Sequence, residues 1–418
     1  MNGGGSNPDA RPGKHLSVEQ ARERTIAAVA PVTGHQTVPL AGALGRILHA
    51  DVTAPADIPA FAASAMDGYA LRSADPPGTD DAPRGFPVIG ASFAGAPFDG
   101  RVGAGECVRI MTGAPMPDGA DAVVIQEDVE RSGDQALIGG GHQPGQHVRA
   151  PGEDVTAGSR VLPAGRRLRP ADLGMLAGVG RGEVAVRRRV RVSYFSTGDE
   201  LVEPGGRLRR GDIFERNRYT IGAMLERLGV EGRDLGIIPD DRDAIRETML
   251  AAAEADAVIT SGGVSVGEAD YVRELLEEVG EVDFWRVSVK PGKPLAVGTV
   301  RGARFYGLPG NPVSSMVTFY LFVRPALERM AGVEPVAPAA WRVRCTQPLR
   351  KQPGRTDFQR GVLERDADGE SRVRPMPEQG SSILSSMSGA NCFIVLPARS
   401  GDVEAGTMVE VIPFDETL

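Results

Sequence analysis

Asp256-Ala257-Val258-Ile259-Thr260-Ser261-Gly262-Gly263-Val264-Ser265-Val266-Gly267-Glu268-Ala269-Asp270 is the stretch whose reading decides the fold. A short apolar run, 256–260, predicts a strand. A ten-residue glycine-rich loop follows it, and 270–279 then reads as a helix. The same alternation extends to both sides. Upstream, 190–196 predicts a strand, 218–228 a helix ending at Gly229, 233–238 a strand and 243–253 a helix. Downstream, 284–289 and 294–299 predict a strand pair, 304–308 another strand and 312–330 a long helix. Strands alternating with helices predict a mostly parallel, doubly wound sheet in an α/β multidomain chain.

The flanks differ in character. Ser17 and Gln20 have capping-box spacing, so a helix is expected to open at Ser17 and run toward Pro31. Residues 60–150 carry short strand-like stretches (86–93, 106–112, 121–130) between Gly/Pro turns, and read as a small mostly-β region. Residues 153–187 are mixed, with a short helix near 170–178, and the chain is strand-like again after about 335, suiting a small barrel or sandwich. The first dozen residues are rich in Gly, Asn, Pro and Asp and read as a disordered tail, not as a signal peptide.

Composition narrows the function classes. A chain of 418 residues with 41% apolar residues supports several cores. A formal charge of −8 gives no reason to expect a nucleic-acid partner. No apolar run is long enough to span a bilayer, so no membrane partner is expected. Cys107, Cys345 and Cys392 are widely spaced and form no CxxC, which excludes a cysteine zinc site and fits a reducing cytoplasm.

Three loops follow strands of the α/β region: Ser196-Thr197-Gly198-Asp199-Glu200, the 261–270 loop already quoted, and Leu308-Pro309-Gly310-Asn311-Pro312. In a parallel sheet all three emerge at the carboxyl edge, where such sheets bind ligands. The second and third run into helices, whose N-termini offer N–H groups to an anion; Asn311 suits an N-cap and Pro312 a first helical position. Each loop alone reads equally well as an ordinary strand-to-helix turn.

Lys290-Pro291-Gly292-Lys293-Pro294 places Pro and Gly as the centre of a type II turn, with a lysine on either side. Two ammonium groups held that close repel unless an anion or a carboxylate lies between them, although a solvated surface turn has the same sequence. Asp67, Asp154, Glu200, Asp240 and Asp270 sit in loop-like contexts. Carboxylates beside a phosphate site suit a hard ion such as Mg2+. Five histidines without HxxxH spacing give no zinc site, and no Walker-type loop or GxGxxG is present.

Ser64-Ala65-Met66-Asp67-Gly68-Tyr69-Ala70, Arg109-Ile110-Met111-Thr112-Gly113-Ala114-Pro115, Gly152-Glu153-Asp154, 196–201, 261–271, 290–294 and 307–314 resemble, in order, the signature segments of MoeA-type molybdopterin molybdenumtransferases, segments that also occur in the C-terminal domain of gephyrin. The resemblance spans nearly the whole chain. It implies a mostly parallel MoaB/MogA-like domain at 188–334, an elongated domain at 15–55 and 153–187, an inserted mostly-β domain at 56–152 and a C-terminal β-barrel at 335–418, after a 1–14 tail. It implies a cytoplasmic homodimer whose cleft joins the α/β domain of one subunit to the elongated and inserted domains of the other. The implied reaction takes adenylylated molybdopterin (adenylyl-molybdopterin) and molybdate to the molybdenum cofactor and AMP, with Mg2+. A MogA/MoaB-type adenylyltransferase and recipient molybdoenzymes are the implied partners.

On that resemblance Asp67, Glu200 and Asp270 are expected metal or reaction carboxylates, with Thr112, Lys290 and Lys293 beside them. Gly198, Asp199, Gly262, Gly263, Ser265, Asp154, Asp240, Pro309, Gly310 and Asn311 are expected to bind substrate, and Arg355, Arg360 and Ser382 to help hold molybdate. One stretch departs. Ile213-Phe214-Glu215-Arg216-Asn217 stands where the family has an Ile-Tyr-Asp-Ser/Thr-Asn type segment, so Arg216 replaces a small hydroxyl while Asn217 is kept. Three other readings stay open: adenylylation of molybdopterin, a receptor-anchoring scaffold, and a tungstate-handling relative.

Overall fold

The computed structural model describes residues 15–75, 79, 82–262, 275–276, 278–415 and 418. Gly263, Ser265 and Asp270, together with most of the expected 270–279 helix, lie outside the described residues. Contacts divide the chain into two units, one of residues 37–44 with 48–186 and one holding the remainder.

The larger unit is built on a seven-stranded sheet in the spatial order His15–Leu16, Gly280–Val287, Pro294–Val300, Ala303–Leu308, Ala257–Ser261, Arg191–Thr197, Glu231–Ile238. The last four run parallel, and only Pro294–Val300 is antiparallel to its neighbours. Strand residues alternate between two apolar cores, as a pleated strand covered on both faces requires. Val192, Tyr194, Ala257, Ile259, Tyr306 and Leu308 face the core shared with the helix Asn217–Arg227 and the helix that begins at Pro312. Phe195, Val258 and Phe305 face the other core, shared with Ile245 and Met249 of Arg242–Ala252.

The 312–330 helix has a local irregularity with a sequence cause. Pro312–Thr318 and Arg324–Met330 are α-helical, and Phe319–Val323 between them is π-helical. Pro325 has no N–H to give to the turn before it, so the hydrogen-bond ladder widens just upstream. At the start of the unit, Ser17 Oγ accepts from the Gln20 N–H and Gln20 Oε1 accepts from the Ser17 N–H, the capping box read from the sequence. Residues 15–36 group with this unit and not with 37–55, where the elongated domain was expected to hold them. The reason is pairing: His15–Leu16 lies parallel to Gly280–Val287, and Val18 and Ala21 enter the larger core.

C-terminal strands close a five-stranded barrel. Thr356–Arg365 pairs with Ser371–Pro375, which pairs with Trp341–Cys345, then Met408–Pro413, then Cys392–Leu396, which returns to Thr356–Arg365. Val343, Val373, Ile394, Leu396 and Val411 fill it.

The smaller unit holds a six-stranded sheet in the order Ala122–Ile125, Gly68–Leu71, Cys107–Ile110, Arg84–Ser92, Gln135–Ile138, Val129–Ser132. The helix Pro170–Gly178 packs Leu176 against Leu48, Leu162, Val184 and Val186 in a separate core. Cys107, Cys345 and Cys392 are all buried free thiols.

Candidate functional site

In the smaller unit the strand Gly68–Leu71 begins beside a carboxylate. Gly68 is required there, because a Cβ would lie 2.0 Å from the Val124 carbonyl oxygen. This close approach fixes the backbone just after Asp67. Asp67 Oδ1 accepts from both the Thr112 N–H and the Thr112 hydroxyl, each at 2.7 Å. These two bonds, the backbone one foremost, hold the carboxyl below its ordinary pKa against a small desolvation cost, with help from the Arg109 charge. Asp67 is therefore an anion at neutral pH, suited to a cation or a metal and not to proton donation. Arg109 stacks over the Tyr69 ring and donates to the Gly68 carbonyl, so it too is fixed in place. The structure thus joins Asp67 and Thr112, two residues 45 apart in sequence. Asp154, in the same unit, is exposed just after Gly152, and its N–H donates to the Ile58 carbonyl at 3.0 Å.

In the larger unit the strands Arg191–Thr197, Ala257–Ser261 and Ala303–Leu308 are adjacent and parallel, so their following loops share one edge, as expected. Gly262 has φ +95°, and a Cβ there would meet the Thr197 carbonyl oxygen at 2.8 Å; Gly310 approaches the Gly262 Cα at 3.8 Å from its own Cβ position. Asn217 ties these loops. Its Nδ2 donates to Ser261 Oγ at 2.8 Å and to the Gly310 carbonyl at 2.6 Å. Around it the buried hydroxyls of Ser196, Thr197 and Thr260, and Asn217 Oδ1, have no hydrogen-bond partner among the described residues. Buried polar groups cost stability unless they are paired, so this edge is prepared for polar company.

Glu200 is exposed, with its carboxylate folded toward Gly198, whose added Cβ would lie 2.6 Å from Glu200 Oε2. Asp199 Oδ1 accepts from the Asp240 N–H at 3.1 Å, which brings two expected substrate residues together. Pro309 is buried, and Asn311 is exposed at the N-cap position. Here an expectation is corrected. The Asn311 side chain makes no capping bond, and the Val313 N–H, one of the groups expected to face an anion, goes instead to the Ser381 carbonyl at 3.1 Å. The loop carrying Ser382 therefore covers part of this helix N-terminus.

The 290–294 segment is also corrected. Gly292 has φ +101°, as a type II turn needs, but the Lys290–Pro291 peptide is cis and Lys290 belongs to a short strand, Val289–Lys290. That strand pairs in parallel with Thr356–Arg365 and puts Lys290 opposite Asp357, whose Oδ2 accepts from Lys290 Nζ at 3.1 Å. Gly292 sits against the long helix, where a Cβ would be 2.5 Å from Thr318 Oγ1. Lys293 and Arg355 are exposed, and so is Ser382. Arg360 is 1% exposed and donates to Ser386 Oγ and to the Gly380 carbonyl. Burial lowers its pKa to about 10, so it remains a cation at neutral pH, committed to the barrel and to the base of the 380–382 loop. Sequence reasoning missed Asp357, Lys351 and the clamping role of Asn217. A charged residue inside the strand-like run 356–361 was the available signal for Asp357.

The carboxylates expected to hold Mg2+ offer hard oxygen donors, which is the chemistry that ion takes. Among the described residues no three acidic, histidine or cysteine side chains converge as a ready metal site. Asp67 and Glu200 belong to separate units, and Asp270 lies outside the described residues.

Comparison with known proteins covers nearly all of the chain. Residues 16–180 match the model of the MoeA N-terminal region (domain I and II), 193–329 the model described as "Probable molybdopterin binding domain", and 342–414 the MoeA C-terminal region (domain IV). A molybdopterin molybdenumtransferase of Haemophilus influenzae is 42% identical over 96% of this chain and 100% of its own length. Molybdopterin molybdenumtransferase 2 of Mycobacterium tuberculosis is 36% identical over 94% of this chain and 98% of its own. The crystal structure of a molybdopterin biosynthesis MoeA protein from Pyrococcus horikoshii superposes with a TM-score of 0.83 at 31% identity, covering 96% of this chain and 100% of that one.

Proposed function

Because the chain belongs to the MoeA family of molybdopterin molybdenumtransferases, enzymes of molybdenum-cofactor biosynthesis, we propose that it inserts molybdate into adenylylated molybdopterin and releases AMP, assisted by Mg2+. The observation that carries this reading is the shared sheet edge on which the Gly198, Gly262 and Gly310 loops meet, tied by Asn217 and lined with hydroxyls that have no hydrogen-bond partner among the described residues. A substrate with a pyrophosphate needs close backbone approach and polar partners, and the glycines and hydroxyls of this edge support such a role.

The roles follow from chemistry. Gly198, Asp199, Asp240, Gly262, Pro309, Gly310 and Asn311 seat the adenylylated pterin, with Gly263 and Ser265 on the same loop and Asp154 from the smaller unit. Lys290 and Lys293, with Arg355 and Ser382, hold the tetrahedral dianion. When the P–O–P bond breaks and AMP departs, negative charge grows on the leaving phosphate, and preorganised ammonium groups stabilise it. Asp67, Glu200 and Asp270 would hold Mg2+, which supplies further stabilisation of that charge. Thr112 keeps the Asp67 carboxylate ionised and aimed. The domain layout 37–55 with 153–187, 56–152, 188–334 with residues 15–36 beside it, and 335–418, a homodimer, a cytoplasmic site of action and supply by a MogA/MoaB-type adenylyltransferase belong to the same proposal. Among the described residues no helix is long and apolar enough to cross a membrane.

The test is to incubate the full chain with adenylylated molybdopterin, molybdate and Mg2+, and to follow AMP release beside formation of active cofactor. Molybdate-dependent release that is lost in Asp67→Asn and in excess chelator is the expected result. Binding of the adenylylated pterin without turnover would replace this reading with a carrier or scaffold.

A further inference from the structure

The barrel contributes a buried carboxylate to the lysine that the reaction relies on. Asp357 is 2% exposed and lies on Thr356–Arg365, directly across from Lys290 in a parallel pairing. The register is fixed by Thr356 N–H donating to the Ser288 carbonyl at 2.9 Å. Asp357 Oδ2 receives both Lys290 Nζ at 3.1 Å and Gln359 Nε2 at 3.2 Å, and Gln359 in turn donates to the Arg350 carbonyl at 2.8 Å. The carboxylate is therefore anchored from within the barrel, while the lysine side chain stays 44% exposed.

A third party lies beneath them. Lys351 is 4% exposed, donates to the Gln352 carbonyl at 2.6 Å, and interacts electrostatically with Asp357, Lys290 and Arg355. Its pKa is lowered, first by burial and then by the two neighbouring cations, against the pull of Asp357. Lys290, Lys351 and Arg360 thus share one carboxylate, with Arg355 close to Lys351, which leaves the group with a surplus of positive charge. A buried carboxylate beside a half-exposed lysine locks that side chain in one geometry, and the surplus charge still favours an anion.

We propose that Asp357 is a positioning residue for the transfer reaction, holding the Lys290 ammonium in place for the oxyanion, with Lys351 and Arg355 keeping the cluster positive. This rests on the assignment of Lys290 above. The consequence is a split between rate and affinity. Removing the charge of Asp357 frees Lys290 to wander, which lowers kcat, while the cluster gains net positive charge, so KM for molybdate does not rise.

The experiment compares wild type, Asp357→Asn, Lys290→Ala and the double variant in the molybdate-dependent assay, with thermal midpoints measured alongside. The expected result for Asp357→Asn is a kcat at least about tenfold lower with KM for molybdate unchanged or reduced; in the Lys290→Ala background the same change adds no further loss, as residues acting as one unit require. Multiplicative losses in the double variant, or a raised KM at unchanged kcat, would overturn the proposal. No turnover by wild type would instead defeat the functional reading, and full activity of Lys290→Ala would defeat the lysine assignment. Should Asp357→Asn fail to fold, Gln359→Met loosens the same carboxylate without removing its charge: a smaller fall in kcat at constant KM supports the proposal, and an unchanged kcat overturns it.

Discussion

Replacing Asn217 by Ala tests whether one amide holds the site edge together. Asn217 is 7% exposed, and its Nδ2 makes both of its described side-chain bonds, to Ser261 Oγ and to the Gly310 carbonyl. Two hydrogen bonds are worth about 1 kcal/mol each, and stranding the hydroxyl of the buried Ser261 adds about 1–3 kcal/mol. Two effects offset this. Oδ1, which has no hydrogen-bond partner among the described residues, disappears, and alanine favours the first turn of Asn217–Arg227 by about 0.5 kcal/mol. The net cost is then about 2–3 kcal/mol, or roughly 4–12 °C in the midpoint of a unit of this size. Ser261→Ala leaves the Gly310 bond intact and should cost only about 1 kcal/mol. Calorimetry on both variants and on the double variant gives a coupling between the two side chains, expected at about 0.5 kcal/mol or more. A change below about 0.5 kcal/mol for Asn217→Ala, or strict additivity with Ser261→Ala, would refute the clamp.

Other expectations follow from the same geometry. Gly262→Ala forces a side chain into φ +95° and 2.8 Å from the Thr197 oxygen; a loss of about 2 kcal/mol or more is expected in urea unfolding. Thr112→Val keeps the backbone bond to Asp67 and loses the hydroxyl one, so the Asp67 pKa should move up by NMR titration and turnover should fall, with the thermal midpoint unchanged. Asp256 is held below its ordinary pKa: burial would raise it, but the paired bonds from Arg188 and the Arg191 N–H outweigh that cost. A depressed carboxylate stabilises the fold above its unfolded pKa. The advantage of wild type over Asp256→Asn should therefore be about 1–3 kcal/mol at neutral pH, shrink below about pH 3.9 and vanish once the depressed value is passed, as followed by urea melts at stepped pH.

What the sequence made legible was local. The Ser17–Gln20 capping box, the helix at 170–178 and the alternation around 256–270 rest on signals within a few residues, and short-range sterics and periodicity decide them. The placement of the glycine loops was legible where a motif sits at the end of its own strand, as at Gly198 and Gly310. Partners far along the chain were not. Nothing in residues 311–315 announces that the Val313 N–H is taken by the Ser381 carbonyl, and nothing in Lys290–Pro294 announces that Asp357 faces it. Such pairings depend on how a barrel strand registers against a sheet, which no local pattern encodes. The grouping of residues 15–36 with the α/β unit was hidden for the same reason, since a two-residue strand carries too little periodicity to name its partner.

That two-residue strand has a consequence for how the molecule is made. Leu16 pairs with Val287, so the edge of the central sheet joins an early segment of the chain to residues that leave the ribosome much later. At about 5–20 residues per second, the early segment waits on the order of 10–60 s for its partner. During that interval Val18 and Ala21 have no core to enter, because most of that core comes from strands and helices beyond residue 190. The sheet can close this edge only after Val287 has been made.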